Sequence, residues 1–87
     1  MGRVELARRT RREILDLDWP ISNAVVEALG LLERDSEAGH ALQGRLRGLR
    51  SLRVGSYRII YQIDNRKQVV RVLAVRHRAV AYRTDPR

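Results

Sequence analysis

Eighty-seven residues carrying a formal net charge of +8 suffice for one small domain, read here as a single unit over residues 1–87. A domain this short buries only about 60 % of the surface its unfolded chain exposes, and the chain has no cysteine, so neither disulfides nor a thiolate-bound metal makes up the deficit; a partner that adds buried area is expected. No apolar run reaches the roughly 20 residues of a membrane span, and the N-terminus, "MGRVELARRTRRE", has no signal-peptide core, so a reducing cytoplasm and no membrane association are expected.

Val4 and Leu6 alternate with Arg3 and Glu5, the pattern of a short strand or of an extended start. Ala7, Thr10, Ile14 and Leu17 then recur at helical spacing, with Arg8, Arg9, Arg11, Arg12 and Glu13 on the other faces, and predict a first helix ending near Asp18. Asp18 can cap a second helix and Pro20 suits its first turn. Ile21, Ala24, Val25, Ala28, Leu29 and Leu32 form its apolar stripe.

The segment Asp35 to Gly48 has three glycines and no sustained period, so a loop is expected there. Three β-branched and aromatic runs follow, Leu49 to Val54, Tyr57 to Asp64 and Gln68 to Val75, separated by turn signals at Gly55-Ser56 and at Asp64 to Lys67. The order β-α-α-β-β-β predicts an α+β domain: a mostly antiparallel sheet with a helix pair on one face.

Charge is unevenly divided. Met1 to Gln43 holds six arginines against eight acids, net −2, whereas Gly44 to Arg87 holds twelve basic residues against Asp64 and Asp85, net +10. Such a field attracts polyanions, nucleic acid first among them; the alternative is a solvated surface in an arginine-rich proteome, since only Lys67 is lysine.

A two-residue hairpin loop at Gly55-Ser56 sets Val54 opposite Tyr57 and therefore Arg53 opposite Arg58. Strict alternation puts Leu52, Val54, Tyr57, Ile59, Tyr61, Ile63, Val70, Val72 and Ala74 under the helices. It puts Ser51, Arg53, Arg58, Ile60, Gln62, Val69, Arg71, Leu73 and Val75 on the other face. Like charges across a strand pair repel, and the second half has few carboxylates to relieve them. Two guanidinium forks converging on one spot match the oxygens of a phosphate. Otherwise the pair splays into water, or an acid from the first half reaches over. The tail, "VRHRAVAYR", adds Arg76, His77, Arg78 and Tyr82 where the chain leaves the sheet and would fold back over the cationic face.

"LRVGSYRIIYQID" followed by "VLAVRHRAVAYR" resembles the RelE/ParE superfamily of type II toxin–antitoxin toxins, in which an R-V-G-x-Y-R-x-x-Y hairpin precedes a terminal H-R-x-x-x-Y segment. The helix pair and "LQGRLRG" are also similar, so the resemblance spans nearly the whole chain. RelE-like members cut mRNA in the ribosomal A site; ParE-like members inhibit DNA gyrase on a similar scaffold. By resemblance to the nuclease branch, Arg53, Arg58, Arg78 and Tyr82 are expected to be catalytic. Where some RelE members carry a lysine this chain has Ser51, with Arg50 on the opposite face.

The reaction so implied is metal-free and cofactor-free. The 2′-OH loses a proton and attacks the adjacent phosphorus, and the 5′ oxygen leaves. Arg53, Arg58 and Arg78 would stabilise the growing charge, since arginine clamps well and serves poorly as a base. Proton transfer falls to Tyr82 on the family pattern, with His77 as second choice; a phenol among guanidinium groups ionises more readily than one in water. Arg45, Arg47, Arg50, Ser51, Arg71, Arg76 and Arg83 are expected to contact RNA. The implied partners are the ribosome with its mRNA and a RelB-like antitoxin, acidic or amphipathic, that folds on binding in a hetero-oligomeric complex.

Overall fold

In the computed structural model, which describes residues 3–87, strand β1 (Arg3–Leu6) passes through Ala7 into helix α1 (Arg8–Leu15). The helix ends three residues before the predicted Asp18. Leu17, the last member of its apolar series, is reached by a tightened turn in which its N–H donates to the Ile14 carbonyl at 3.1 Å, and it still packs on the core. Helix α2 (Ile21–Arg34) starts one residue later than the sequence predicts, with Pro20 at the N-cap rather than in the first turn. Asp18 contributes its backbone carbonyl, which accepts from Ser22 N–H at 3.0 Å, and no side-chain cap. Val25 and Leu32 of the predicted stripe are fully buried.

The segment expected to be a loop contains a further strand, β2 (His40–Ala41), followed by a 3₁₀ turn at Gly44–Leu46. Two residues show no period, so the sequence held no signal for this strand. Gly39, just before it, is buried and donates its N–H to the Tyr61 hydroxyl at 3.0 Å; a Cβ there would run into the Ser51 carbonyl and meet that hydroxyl at 2.8 Å. Strands β3 (Arg50–Val54), β4 (Tyr57–Asp64) and β5 (Val69–His77) complete a sheet ordered β1-β5-β4-β3-β2, in which only β1 and β5 run parallel. The α+β class and the single helix-covered sheet stand as the sequence predicts. The strand count is one higher.

Gly55 takes φ +58 at the first position of the two-residue turn, the backbone that a type II′ hairpin needs and that glycine adopts without strain. Its register sets Val54 against Tyr57 and Arg53 against Arg58, as expected.

The β4–β5 ladder departs from simple alternation. Ile60 faces Ala74 but Tyr61 faces Val72, so Leu73 is an extra residue in a bulge. Beyond it every side chain of β5 changes face. Val75 joins the core under the helices with Val25, Leu32, Ile59, Tyr61, Val70 and Val72. Leu73 and Ala74 join a second cluster on the far face with Leu46, Leu49, Ile60 and Ala81. Ala74 and Val75 thus occupy each other's predicted faces.

Strand β1 pairs only with Val69 to Val72, and α1 covers the rest of the β5 edge. The buried Thr10 hydroxyl donates to the Val72 carbonyl at 3.1 Å, and Glu13 Oε1 accepts the Val75 N–H at 3.0 Å. Glu13 thus satisfies a backbone N–H where the ladder stops, while Thr10 adds a second bond to a carbonyl that already accepts the Ala7 N–H at 3.0 Å. No helix among the described residues is long and apolar enough to cross a membrane.

Candidate functional site

The bulge has a consequence for charge. Because it shifts β5 by one residue, Arg76 lands opposite Arg58, which is itself opposite Arg53. Three arginines therefore stand in one row across β3, β4 and β5, on the face away from the helices. Neighbours in such a row have Cβ atoms about 5 Å apart. Strict alternation assigns Arg76 to the opposite face, and a buried Leu73-Ala74-Val75 run offers no polar residue to reveal the slip.

Among the described residues no acid pairs with the row. The ion pairs among them are Glu5 with Arg3, Glu5 with Arg71 and Asp85 with Arg87. Glu13, the acid of α1 that reaches the sheet, spends itself on a backbone N–H. Arg53 is exposed and Arg58 half-buried, its Nη1 donating to the Tyr57 carbonyl at 3.1 Å.

Two residues along β3 from Arg53, and so on the same face, Ser51 is fully buried with its Oγ 2.8 Å from the Tyr82 hydroxyl. Tyr82 arrives there because the chain turns back after β5. Val80 N–H donates to the His77 carbonyl at 3.0 Å, and Ala81 is buried in the second cluster against Leu46, Leu49 and Ile60. Tyr82 as a residue remains 37 % exposed, while its hydroxyl is anchored at Ser51. Arg78 stands beside the hairpin turn, its N–H bonded to the Ser56 carbonyl at 2.7 Å and its side chain exposed at the same end of the sheet as Arg53 and Arg58.

The structure brings Arg53, Arg58, Ser51 and Tyr82 together and separates His77 from them. His77 is paired with Tyr57 on the helix-side face, ring centroids 5.4 Å apart and edge to face, and its Nδ1 accepts the Ala79 N–H at 3.1 Å.

The other basic residues named from sequence are dispersed. Arg50 lies on the helix side and donates to the Gly39 carbonyl at 2.6 Å, the Glu37 carbonyl at 3.2 Å and the Tyr61 hydroxyl at 3.4 Å, tying down the approach to β2. Arg71 pairs with Glu5 at 3.4 Å. Arg45 Nη2 reaches the carbonyls of Tyr82 and Arg83, at 3.5 and 3.3 Å, and Arg47 accepts from Arg87 through its own carbonyl at 3.0 Å. Arg83 has an exposed side chain. At the end of the chain Arg87 grips Asp85 at 2.8 Å. That hydrogen-bonded guanidinium, helped by the Arg87 N–H, holds the Asp85 carboxyl at a pKa of about 2.

The chain resembles known proteins over nearly all of its length. Residues 4–82 match the family described as the ParE toxin of the type II toxin–antitoxin system, parDE. Toxin RelG of Mycobacterium tuberculosis is 40 % identical over 82 residues, covering 92 % of this chain and 94 % of that protein. Toxin RelE of the same organism is 32 % identical over 85 residues, covering 95 % and 88 %. Among solved structures, the toxin–antitoxin complex RelBE2 from Mycobacterium tuberculosis contains a chain that superposes with a TM-score of 0.80 at 37 % identity, covering 87 % of this chain and 96 % of that one. The isolated RelE toxin of E. coli, at 21 % identity and a TM-score of 0.76 over 88 % and 84 %, shares the fold.

Proposed function

Because the chain belongs to the ParE toxin family of type II toxin–antitoxin systems, we propose that it inhibits translation as a ribosome-dependent endoribonuclease of the RelE kind. The observation that carries this reading is the Arg53–Arg58 pair without a counterion, beside a tyrosine whose hydroxyl is hydrogen-bonded to Ser51. In the proposed reaction the phosphate of the scissile linkage lies against Arg53 and Arg58, with Arg78 closing from the hairpin end. Fixed cations in place before the reaction stabilise the charge that grows on the phosphoryl oxygens without reorganising. Tyr82 Oη acts as the general base that takes the 2′-OH proton, and Ser51 Oγ donates to that oxygen and orients it. The 2′-oxygen bonds to phosphorus, the bond to the 5′ oxygen breaks, and that oxygen leaves with a proton from water.

His77 is the weaker candidate for proton transfer because its register places it on the other face of the sheet. A sheet face of arginines and one phenol reads phosphate and has little with which to read bases, so substrate choice falls to the ribosome presenting its mRNA. The partner in the resting state is a RelB-like antitoxin, as in the RelBE2 complex of the relative. It would meet a cationic sheet face, and Leu15, Trp19 and Val26 remain largely exposed on the helical side for apolar contact.

Primer extension on mRNA translated in the presence of the chain tests the proposal, with a supercoiling assay run beside it. Cuts within codons are expected, together with their loss in Tyr82→Phe. Intact mRNA with inhibited supercoiling would instead establish a gyrase inhibitor without nuclease activity, the reading that the family's ParE description favours.

A further inference from the structure

The segment that carries Tyr82 has almost no regular backbone hydrogen bonding of its own. After His77 its turns are closed by Val80 N–H to the His77 carbonyl at 3.0 Å and Arg83 N–H to the Val80 carbonyl at 3.3 Å. What holds it is side-chain chemistry. Arg76 Nη1 donates to the Ala81 carbonyl at 3.2 Å and to the Thr84 carbonyl at 2.9 Å, bracketing Tyr82 from both sides. Arg45 takes the Tyr82 and Arg83 carbonyls, and Arg9 of α1 reaches the Pro86 carbonyl at 3.1 Å. Only Arg76 both lies in the arginine row and is committed to this segment.

We infer that Arg76 is a positioning residue for Tyr82: it occupies the row by register, yet its guanidinium binds the tail carbonyls and fixes the Tyr82 hydroxyl at Ser51, rather than binding the phosphate. The inference rests on the nuclease reading of the site. Its physical basis is that a guanidinium has a planar set of donors that can span two carbonyls, and here both lie within four residues of each other on the same loop. The buried Ala81 side chain and the Tyr82–Ser51 bond both fix the start of that loop, and the Arg76 bond to the Thr84 carbonyl fixes its end. Without the guanidinium the Ala81 and Thr84 carbonyls lose their tie to the sheet, and the ring is held at Ser51 only by the buried Ala81 and the longer Arg45 bonds to the Tyr82 and Arg83 carbonyls. A displacement of about 1 Å at a reacting group costs up to about 100-fold in rate. A phosphate ligand removed from the same position would instead weaken RNA binding.

The test combines kinetics with a measurement that needs no activity. In single-turnover cleavage of mRNA on ribosomes, Arg76→Ala is expected to lower the rate at saturation about 10- to 100-fold while half-saturation changes by less than about twofold. In a Tyr82→Phe background the same substitution is expected to cost almost nothing further. An equal loss in both backgrounds, with weakened half-saturation, makes Arg76 a phosphate ligand and overturns the inference. Hydrogen exchange of the amides from Ala81 to Asp85, and the ring signal of isotopically labelled Tyr82, are read on the same full-length chains. Faster tail exchange and a shifted Tyr82 signal in Arg76→Ala are expected. If the parent chain cuts no mRNA, the nuclease reading fails by itself, and unchanged exchange with an unchanged Tyr82 signal would then overturn the positioning role as well.

Discussion

Replacing Arg53 with glutamine should make the protein more stable and less active at the same time. Arg53 and Arg58 face each other across an antiparallel pair, and no carboxylate pairs with either among the described residues. If the guanidinium groups stand no further apart than their Cβ atoms, about 5 Å, two unit charges repel by about 0.8 kcal/mol in water, the upper bound for this pair. Arg53 is exposed, so screening and side-chain freedom cut this to about 0.4 kcal/mol. For a domain of this length that corresponds to a rise in Tm of about 2–3 °C. Thermal unfolding followed by circular dichroism at low salt should show it, and the gain should vanish near 1 M salt, where the Debye length falls to about 3 Å. Cleavage on ribosomes should fall by about 100-fold or more in the same variant, as expected when a preset cation is removed from a developing oxyanion. A lower Tm at low salt, or a gain indifferent to salt, would refute the argument, because either result means that the two guanidinium groups do not burden one another.

Other consequences concern the frame around the site. Tyr61 is fully buried, and its hydroxyl donates to the Ser36 carbonyl at 2.9 Å and accepts the Gly39 N–H, so Tyr61→Phe should cost about 2–3 kcal/mol in urea unfolding with the m-value unchanged; an unmoved midpoint would contradict this. Gly39→Ala should be strongly destabilising, since its new methyl would meet the Ser51 carbonyl and the Tyr61 hydroxyl, and thermal unfolding at parental temperature would remove that claim. Asp85 has a folded pKa of about 2 against an ordinary 3.8, so its bond to Arg87 contributes fully above about pH 4 and is lost as pH falls towards 2. Its carboxyl resonance should titrate well below 3.8 in the parent and near 3.8 in Arg87→Ala; equal midpoints would show that the pair does not form in solution.

Much of the sheet was legible because its information is local. The bounds of β4, the turn at Gly55-Ser56 and the opposition of Arg53 to Arg58 all follow from a two-residue loop and period-two alternation. The α2 stripe was equally plain, with Val25 and Leu32 at its centre. What the sequence concealed depends on contacts between distant segments. The bulge at Leu73 sits in a run buried on both faces, so hydrophobicity carries no record of which side each residue takes, and the place of Arg76 in the row went with it. Strand β2 exists because Gly39 lets the chain approach Ser51 closely, a steric fact with no periodic signature. Arginines 45, 50 and 76 look like RNA contacts in a charge tally, yet each donates to backbone carbonyls far away in the chain or across a turn. Guanidinium groups serve as well for fastening a loop as for holding a phosphate, and only coordinates distinguish the two uses.

The chemistry at the cut ends of the RNA tests the central claim most directly. Attack by the 2′-oxygen, with Tyr82 accepting its proton and the arginine pair bearing the charge, leaves a 2′,3′-cyclic phosphate upstream and a 5′-hydroxyl downstream. Mass spectrometry of fragments released from programmed ribosomes should find those ends for the parent chain and for Arg53→Gln at its reduced rate. A 5′-phosphate on the downstream fragment would mean that water, not the neighbouring hydroxyl, is the nucleophile, and the roles given to Tyr82 and to the arginine pair would be wrong.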